Sequence, residues 1–118
     1  MRTTVATVRL GEKYRVDFTD TQRSLLRSVG LFVQDRPDAS DSVVRFGVGQ
    51  AVASNIMEKA LAEDALLAIE ELHVIYSVLV GAALMMQSEE EFYLRLGFFR
   101  EQAIEVANAL AASLSPVA

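Results

Sequence analysis

The spacing of apolar residues changes period at Thr19, and no other feature constrains the fold of this chain as tightly. Before that point Lys13-Tyr14-Arg15-Val16-Asp17-Phe18-Thr19 alternates, with Tyr14, Val16 and Phe18 on one face and Lys13, Arg15, Asp17 and Thr19 on the other. After it Leu25, Leu26, Val29, Phe32 and Val33 recur three and four apart, as on one side of a helix. Thr19 with Gln22 three residues on forms a capping box, in which the hydroxyl accepts from an orphan amide and the Gln side chain reaches back to the cap. The spacing therefore predicts a half-buried strand over 13–19 that passes directly into an amphipathic helix.

Pro37 stops that helix, because proline lacks the amide the next turn needs. The run Asp38-Ala39-Ser40-Asp41-Ser42 has turn and cap chemistry, and Asp41 or Ser42 starts a second helix carrying Val43, Val44, Phe46, Val48, Ala51 and Val52. Upstream, Thr3 to Leu10 alternates in part. Gly11-Glu12 would fold it into a hairpin with the strand; a flexible basic arm is the alternative.

From Asp64 onward the pattern is helical. Residues 65–86 carry a stripe at Ala68, Leu72, Ile75, Leu79, Ala82 and Met86, and beyond His73 nearly every position is apolar, which predicts a helix buried on most sides. The small residues Ser77, Gly81 and Ala82 would permit close approach of a neighbour, and a buried strand at 73–80 is the minor alternative. Val74 to Met86 is too short for a membrane span and has no flanking basic cluster. Ser88 with Glu91 makes a second capping box, with Glu89 and Glu90 where a helix dipole favours negative charge. Phe92, Leu96, Phe99, Ala103, Val106, Leu110 and Leu114 then keep helical spacing, so residues 63–118 are expected to form an antiparallel helical hairpin whose apolar surplus drives association.

With 118 residues, 52% of them hydrophobic and 23% charged, the chain can build one sizeable core and is not a disordered composition. The absence of Cys removes disulfides and thiolate metal sites. The N-terminal segment has no continuous apolar stretch of the secretory kind, so the cytoplasm is the expected compartment. The net charge of -5 is unevenly spread: residues 1–45 hold eight Lys and Arg against six acids, whereas 46–118 hold three against ten. A basic front and an acidic rear suit a module that meets DNA with one end and solvent or a partner with the other.

The order strand, helix, turn, helix over about residues 13–55 resembles the ribbon-helix-helix family of DNA-binding proteins, most closely at Asp41-Ser42-Val43-Val44-Arg45-Phe46-Gly47-Val48. The resemblance implies that two copies of the strand pair as an antiparallel ribbon in the major groove. Lys13, Arg15 and Asp17 would then face the bases, where Arg or Lys donates to guanine and a carboxylate accepts from cytosine. It also implies that the start of the second helix, around Asp41 and Ser42, offers backbone amides to a phosphate, which Arg45 helps to hold. The expected fold is mainly α: a short N-terminal β element and two helices in residues 1–62, resembling ribbon-helix-helix, followed by the helical hairpin of 63–118.

Enzyme-like signals are sparse. Glu70 and His73 have the Glu-x-x-His spacing of di-iron carboxylate bundles, with Glu101, Glu105 or Glu58 to complete a set, but they lie opposite the main apolar stripe and read better as a polar edge. Gly47-Val48-Gly49 lacks the third glycine of a dinucleotide fingerprint, since Val52 stands there. No glycine-flanked Ser supports a nucleophile using His73. The sequence thus predicts a small dimeric DNA-binding regulator that is not an enzyme and needs no cofactor or metal, with double-stranded DNA and itself as partners. A protein partner through residues 63–118 is also anticipated. The alternative is a helical homo-oligomeric protein-interaction module that does not bind DNA; the third reading is a di-iron carboxylate protein.

Overall fold

The computed structural model describes residues 3–35, 41–85, 90, 97, 98 and 100–114. Strands β1 (Ala6–Leu10) and β2 (Lys13–Asp17) form an antiparallel hairpin, and β3 (Leu66–Leu67) adds to the other side of β2 in the order β1-β2-β3. The helices are α1 (Asp20–Asp35), α2 (Asp41–Phe46), α3 (Gln50–Lys59), α4 (Ile69–Met85) and α5 (Arg100–Leu114).

The hairpin follows from its two-residue loop. Gly11 takes φ +68 while Glu12 keeps the negative φ of an ordinary residue, the sign pattern of a type II′ turn with glycine in the first central position. Ala6, Thr7, Val8, Arg9 and Leu10 lie opposite Asp17, Val16, Arg15, Tyr14 and Lys13 in turn. Tyr14, Val16 and Phe18 face the core, as the alternation requires; Val16 and Phe18 are fully buried.

α1 starts where the capping box puts it. Gln22 N–H donates to Thr19 Oγ1 at 3.1 Å, and Thr19 N–H donates to Gln22 Oε1 at 2.9 Å. Gln22 Nε2 also donates to the Thr4 carbonyl at 2.9 Å, so one buried amide ties the helix start to the lead-in of β1. Of the predicted stripe Leu25, Leu26, Val29 and Val33 are buried and Phe32 is half-buried.

Three expectations are corrected. The second helix of the sequence reading is two helices, because Gly47 adopts φ +80 and its N–H closes α2 on the Val43 carbonyl at 2.9 Å, a left-handed cap. Of its expected apolar stripe only Phe46 is buried and Val48 half-buried. Val43, Val44, Ala51 and Val52 point outward, and α3 buries Ala53, Ile56 and Met57 instead. Residues 66–67 form β3 rather than the first turn of the long helix, which begins at Ile69. There Glu71 accepts the Ala68 N–H at 2.8 Å, half of a capping box with no hydroxyl partner to announce it. The last helix begins at Arg100, after Gly97 with φ +76; the proposed Ser88–Glu91 cap lies outside the described residues, and so do Phe92, Leu96 and Phe99.

α4 is the hub, packed against α1, α2, α3 and α5. It runs antiparallel to α5: Arg100 Nη1 at the start of α5 donates to the Ala83 carbonyl near the end of α4, while Leu72 and Tyr76 share a cleft with Leu110 and Leu114. The segments 1–62 and 63–118 share one core, since β3 joins the hairpin's sheet and α5 packs against β1. Much of the apolar surface expected to drive association through the second segment is therefore used within the protomer, with Ala103, Val106, Ala107 and Leu110 buried.

Candidate interaction surface

One face of the sheet covers the core and the other is open. Because directly paired residues share a face, the register gathers Ala6, Val8 and Leu10 of β1, Lys13, Arg15 and Asp17 of β2, and Leu66 of β3 on the open side. The expectation that Lys13, Arg15 and Asp17 point away from the core is met. What the alternation of 13–19 could not reveal is their company: Val8, Leu10 and Leu66 are 43%, 47% and 42% exposed, and Val8 and Leu66 stand directly across from Arg15 on either side. The signal for Val8 and Leu10 was present in the partial alternation of residues 3–10. None marked Leu66, whose segment read as helix.

Arg15 is shaped by these neighbours. Its Nε is buried and has no hydrogen-bond partner among the described residues, so a guanidinium group lies in an aliphatic row with one donor unsatisfied. A buried donor in that state costs on the order of 1–3 kcal/mol until an acceptor reaches it. Lys13 is less independent. Its charge reaches Glu71, which also pairs with Lys59 at 3.0 Å. Burial by itself would raise the Glu71 pKa; the Ala68 N–H and the Lys59 ammonium outweigh that, with help from Lys13, and hold the carboxyl below the ordinary glutamate range.

The ribbon geometry implied by the resemblance does not fit β2. It is the central strand, paired with β1 along its whole length and with β3 at Tyr14 and Arg15, so it has no open edge there for a second β2. The two halves of the expected DNA site also have different surroundings: α2 packs on α3 and α4, whereas the sheet packs chiefly within itself and on α5. Ser42 is only 1% exposed as a whole residue, so neither its backbone N–H nor its side chain is open to a phosphate. Arg45 Nε donates to Asp41 at 3.0 Å, so its charge is partly compensated within α2. α2 is six residues long.

Glu70 and His73 are both exposed at the start of α4, and His73 borders an apolar cleft with Ile69, Leu72, Tyr76, Leu110 and Leu114. Among the described residues no three His, Cys, Asp or Glu side chains gather as metal ligands, and no helix is long and apolar enough to cross a membrane. No protein-family model, no curated protein and no solved structure matches the chain.

Proposed function

We propose that the protein is a self-associating interaction module whose working surface is the sheet end of the molecule, with a second copy of the chain as its partner. The observation that carries this reading is the row Val8, Leu10 and Leu66, three aliphatic side chains held exposed on a backbone that the turn, the register and the core beneath make rigid. Single exposed apolar residues need no explanation, but three on one sheet face, Val8 and Leu10 along β1 and Leu66 across Arg15 from Val8, form a patch suited to a partner. Covering them with another copy removes aliphatic area from water, and Lys13, Arg15 and Asp17, which share the face, have to keep their solvent or find partners across the contact.

A second reading is supported by one specific observation: Lys13 and Arg15 stand on the same open face with Asp17, as a base-reading surface would need. In that reading the three-stranded face itself, not a ribbon of two β2 strands, meets the duplex, and Val8, Leu10 and Leu66 reach thymine methyl groups.

Sedimentation equilibrium across a concentration series, paired with fluorescence anisotropy on a labelled mixed-sequence duplex at low salt, tests both. Self-association that Val8→Lys with Leu66→Lys abolishes, with no duplex binding, supports the interaction module. A protein that stays monomeric at every concentration overturns it. Duplex binding that weakens steeply with salt and is lost in Arg15→Ala supports the second reading.

A further inference from the structure

The hairpin makes one prediction about how a second copy attaches, and it rests on the self-association reading above. β1 is the edge strand: among the described residues β2 pairs with one side of it and no strand pairs with the other. The two-residue loop makes Leu10 and Lys13 the first hydrogen-bonded pair. By alternation Val8 and Ala6 also direct their N–H and C=O groups at β2, while Thr7 and Arg9 direct theirs at the open edge. The edge thus offers two donors and two acceptors at fixed spacing. Natural edges are usually guarded by proline, by a bulge or by an inward-pointing charge; Ala-Thr-Val-Arg-Leu contains no proline and pairs without a bulge, and its one charge, Arg9, on the core-side face, is exposed and turned to the Gly11 carbonyl.

We propose that two protomers join edge to edge through β1, antiparallel, about a two-fold axis at Val8, making one continuous six-stranded sheet. In this register Thr7 of each copy exchanges main-chain bonds with Arg9 of the other, which uses all the outward groups. Val8 meets its own symmetry mate as a close non-hydrogen-bonded pair, and Ala6 meets Leu10. The open faces become continuous: Ala6, Val8 and Leu10 of the two copies contact across the junction, while Leu66, on β3 at the far side of each sheet, lies outside it.

Alternative axes fit less well. An axis at Arg9 sets two guanidinium groups side by side, and one at Thr7 leaves Leu10 without a partner. With the axis at Val8, each Arg9 lies opposite a neutral Thr7. Its Nε already donates to the Gly11 carbonyl at 3.1 Å, which draws the charge toward the turn and away from the axis. On the core side Thr7 Oγ1 is bonded to Ser113 Oγ at 2.7 Å, so α5 fixes the strand from beneath and leaves its edge in place for pairing.

The chain has no cysteine, so single-cysteine variants report the register cleanly. Val8→Cys would bring two thiols to Cα atoms about 4.5 Å apart, within disulfide range, whereas Ala6→Cys, on the same exposed face, would leave them roughly 13 Å apart by strand rise. The expected result is a covalent dimer forming at least tenfold faster under mild oxidation in Val8→Cys than in Ala6→Cys. Arg9→Pro, which removes an outward N–H and leaves the hydrogen bonds of Ala6, Val8 and Leu10 to β2 their donors, should abolish association, and Arg9→Ala should retain it. Equal cross-linking of the two cysteine variants, with the unmodified protein still associating in sedimentation, overturns the β1 pairing and leaves the self-association reading standing. A unmodified protein that is monomeric throughout overturns both.

Discussion

Phe46 lies with its ring edge against the backbone of Gly81: a Cβ placed on that glycine would sit 2.9 Å from Phe46 Cε1. The contact locks α2 onto the central helix and explains why a glycine stands in the middle of α4 despite its propensity cost. Gly81→Ala is expected to destabilise the protein by about 1–3 kcal/mol through overpacking, although alanine is the better helix former. Phe46→Ala, which empties the site, should cost about 3–5 kcal/mol. Combining Gly81→Ala with Phe46→Leu should recover part of the loss, because the smaller side chain vacates the space the methyl needs. Urea titrations of the three variants check the order, and a stabilised Gly81→Ala would show that the contact is not tight.

What local chemistry determines was readable from the residues, and what long-range pairing determines was not. The Thr19–Gln22 box, the α1 stripe and the burial of Val16 and Phe18 each depend on neighbours a few positions away, and each is found as expected. Leu66 and Leu67 become a strand only because β2 is there to receive them, 53 residues earlier in the chain at Tyr14↔Leu67 and 51 at Arg15↔Leu66, and no local pattern encodes that. Gly47 could be seen as a weak helix position, but not that its positive φ would turn Val43 and Val44 outward. For the site, the outward direction of Lys13, Arg15 and Asp17 was readable from period two, while the aliphatic row around Arg15 required the register.

The capping box supports a second prediction. Thr19→Ala should cost about 1 kcal/mol, the usual value of an N-cap hydroxyl. Gln22→Ala should cost more, about 1–3 kcal/mol, because it also strips the Thr4 carbonyl of its donor in a part-buried setting. Denaturation midpoints should fall in that order with unchanged m values. Equal losses would mean that the Thr4 bond contributes nothing.

Gly47 carries a third. Its φ of +80 is a conformation that side chains resist, and a Cβ there would meet only the His73 ring at an ordinary 3.9 Å, so the penalty of Gly47→Ala is conformational rather than steric. The expected loss is about 1–2 kcal/mol. Gly49→Ala, at φ -65 with open space around its Cβ, should be close to neutral, because the lower entropy of the unfolded chain is offset by alanine's poorer fit at the N-cap of α3. Thermal melts of the two variants separate the backbone argument from a general intolerance of this loop to larger residues.

Glu71 makes stability depend on pH with a definite sign. Burial works to raise its pKa, but the Ala68 N–H and Lys59, with a smaller contribution from Lys13, hold it below the ordinary glutamate range in the folded protein. A carboxyl with a depressed folded pKa contributes stability that is present above its unfolded value and is lost as pH falls through the folded one. Glu71→Gln keeps an acceptor for Ala68 but has no charge for Lys59. The variant should be less stable than the parent at neutral pH by on the order of 1 kcal/mol or less, since the Lys59 end of the pair is solvent-exposed. The gap should close as pH drops below the ordinary glutamate range, where the parent also loses its charge. Urea titrations at intervals from neutral to acid pH measure it, and a gap that stayed constant or widened toward acid would show that the amide acceptor rather than the carboxylate charge sets the contribution of this residue.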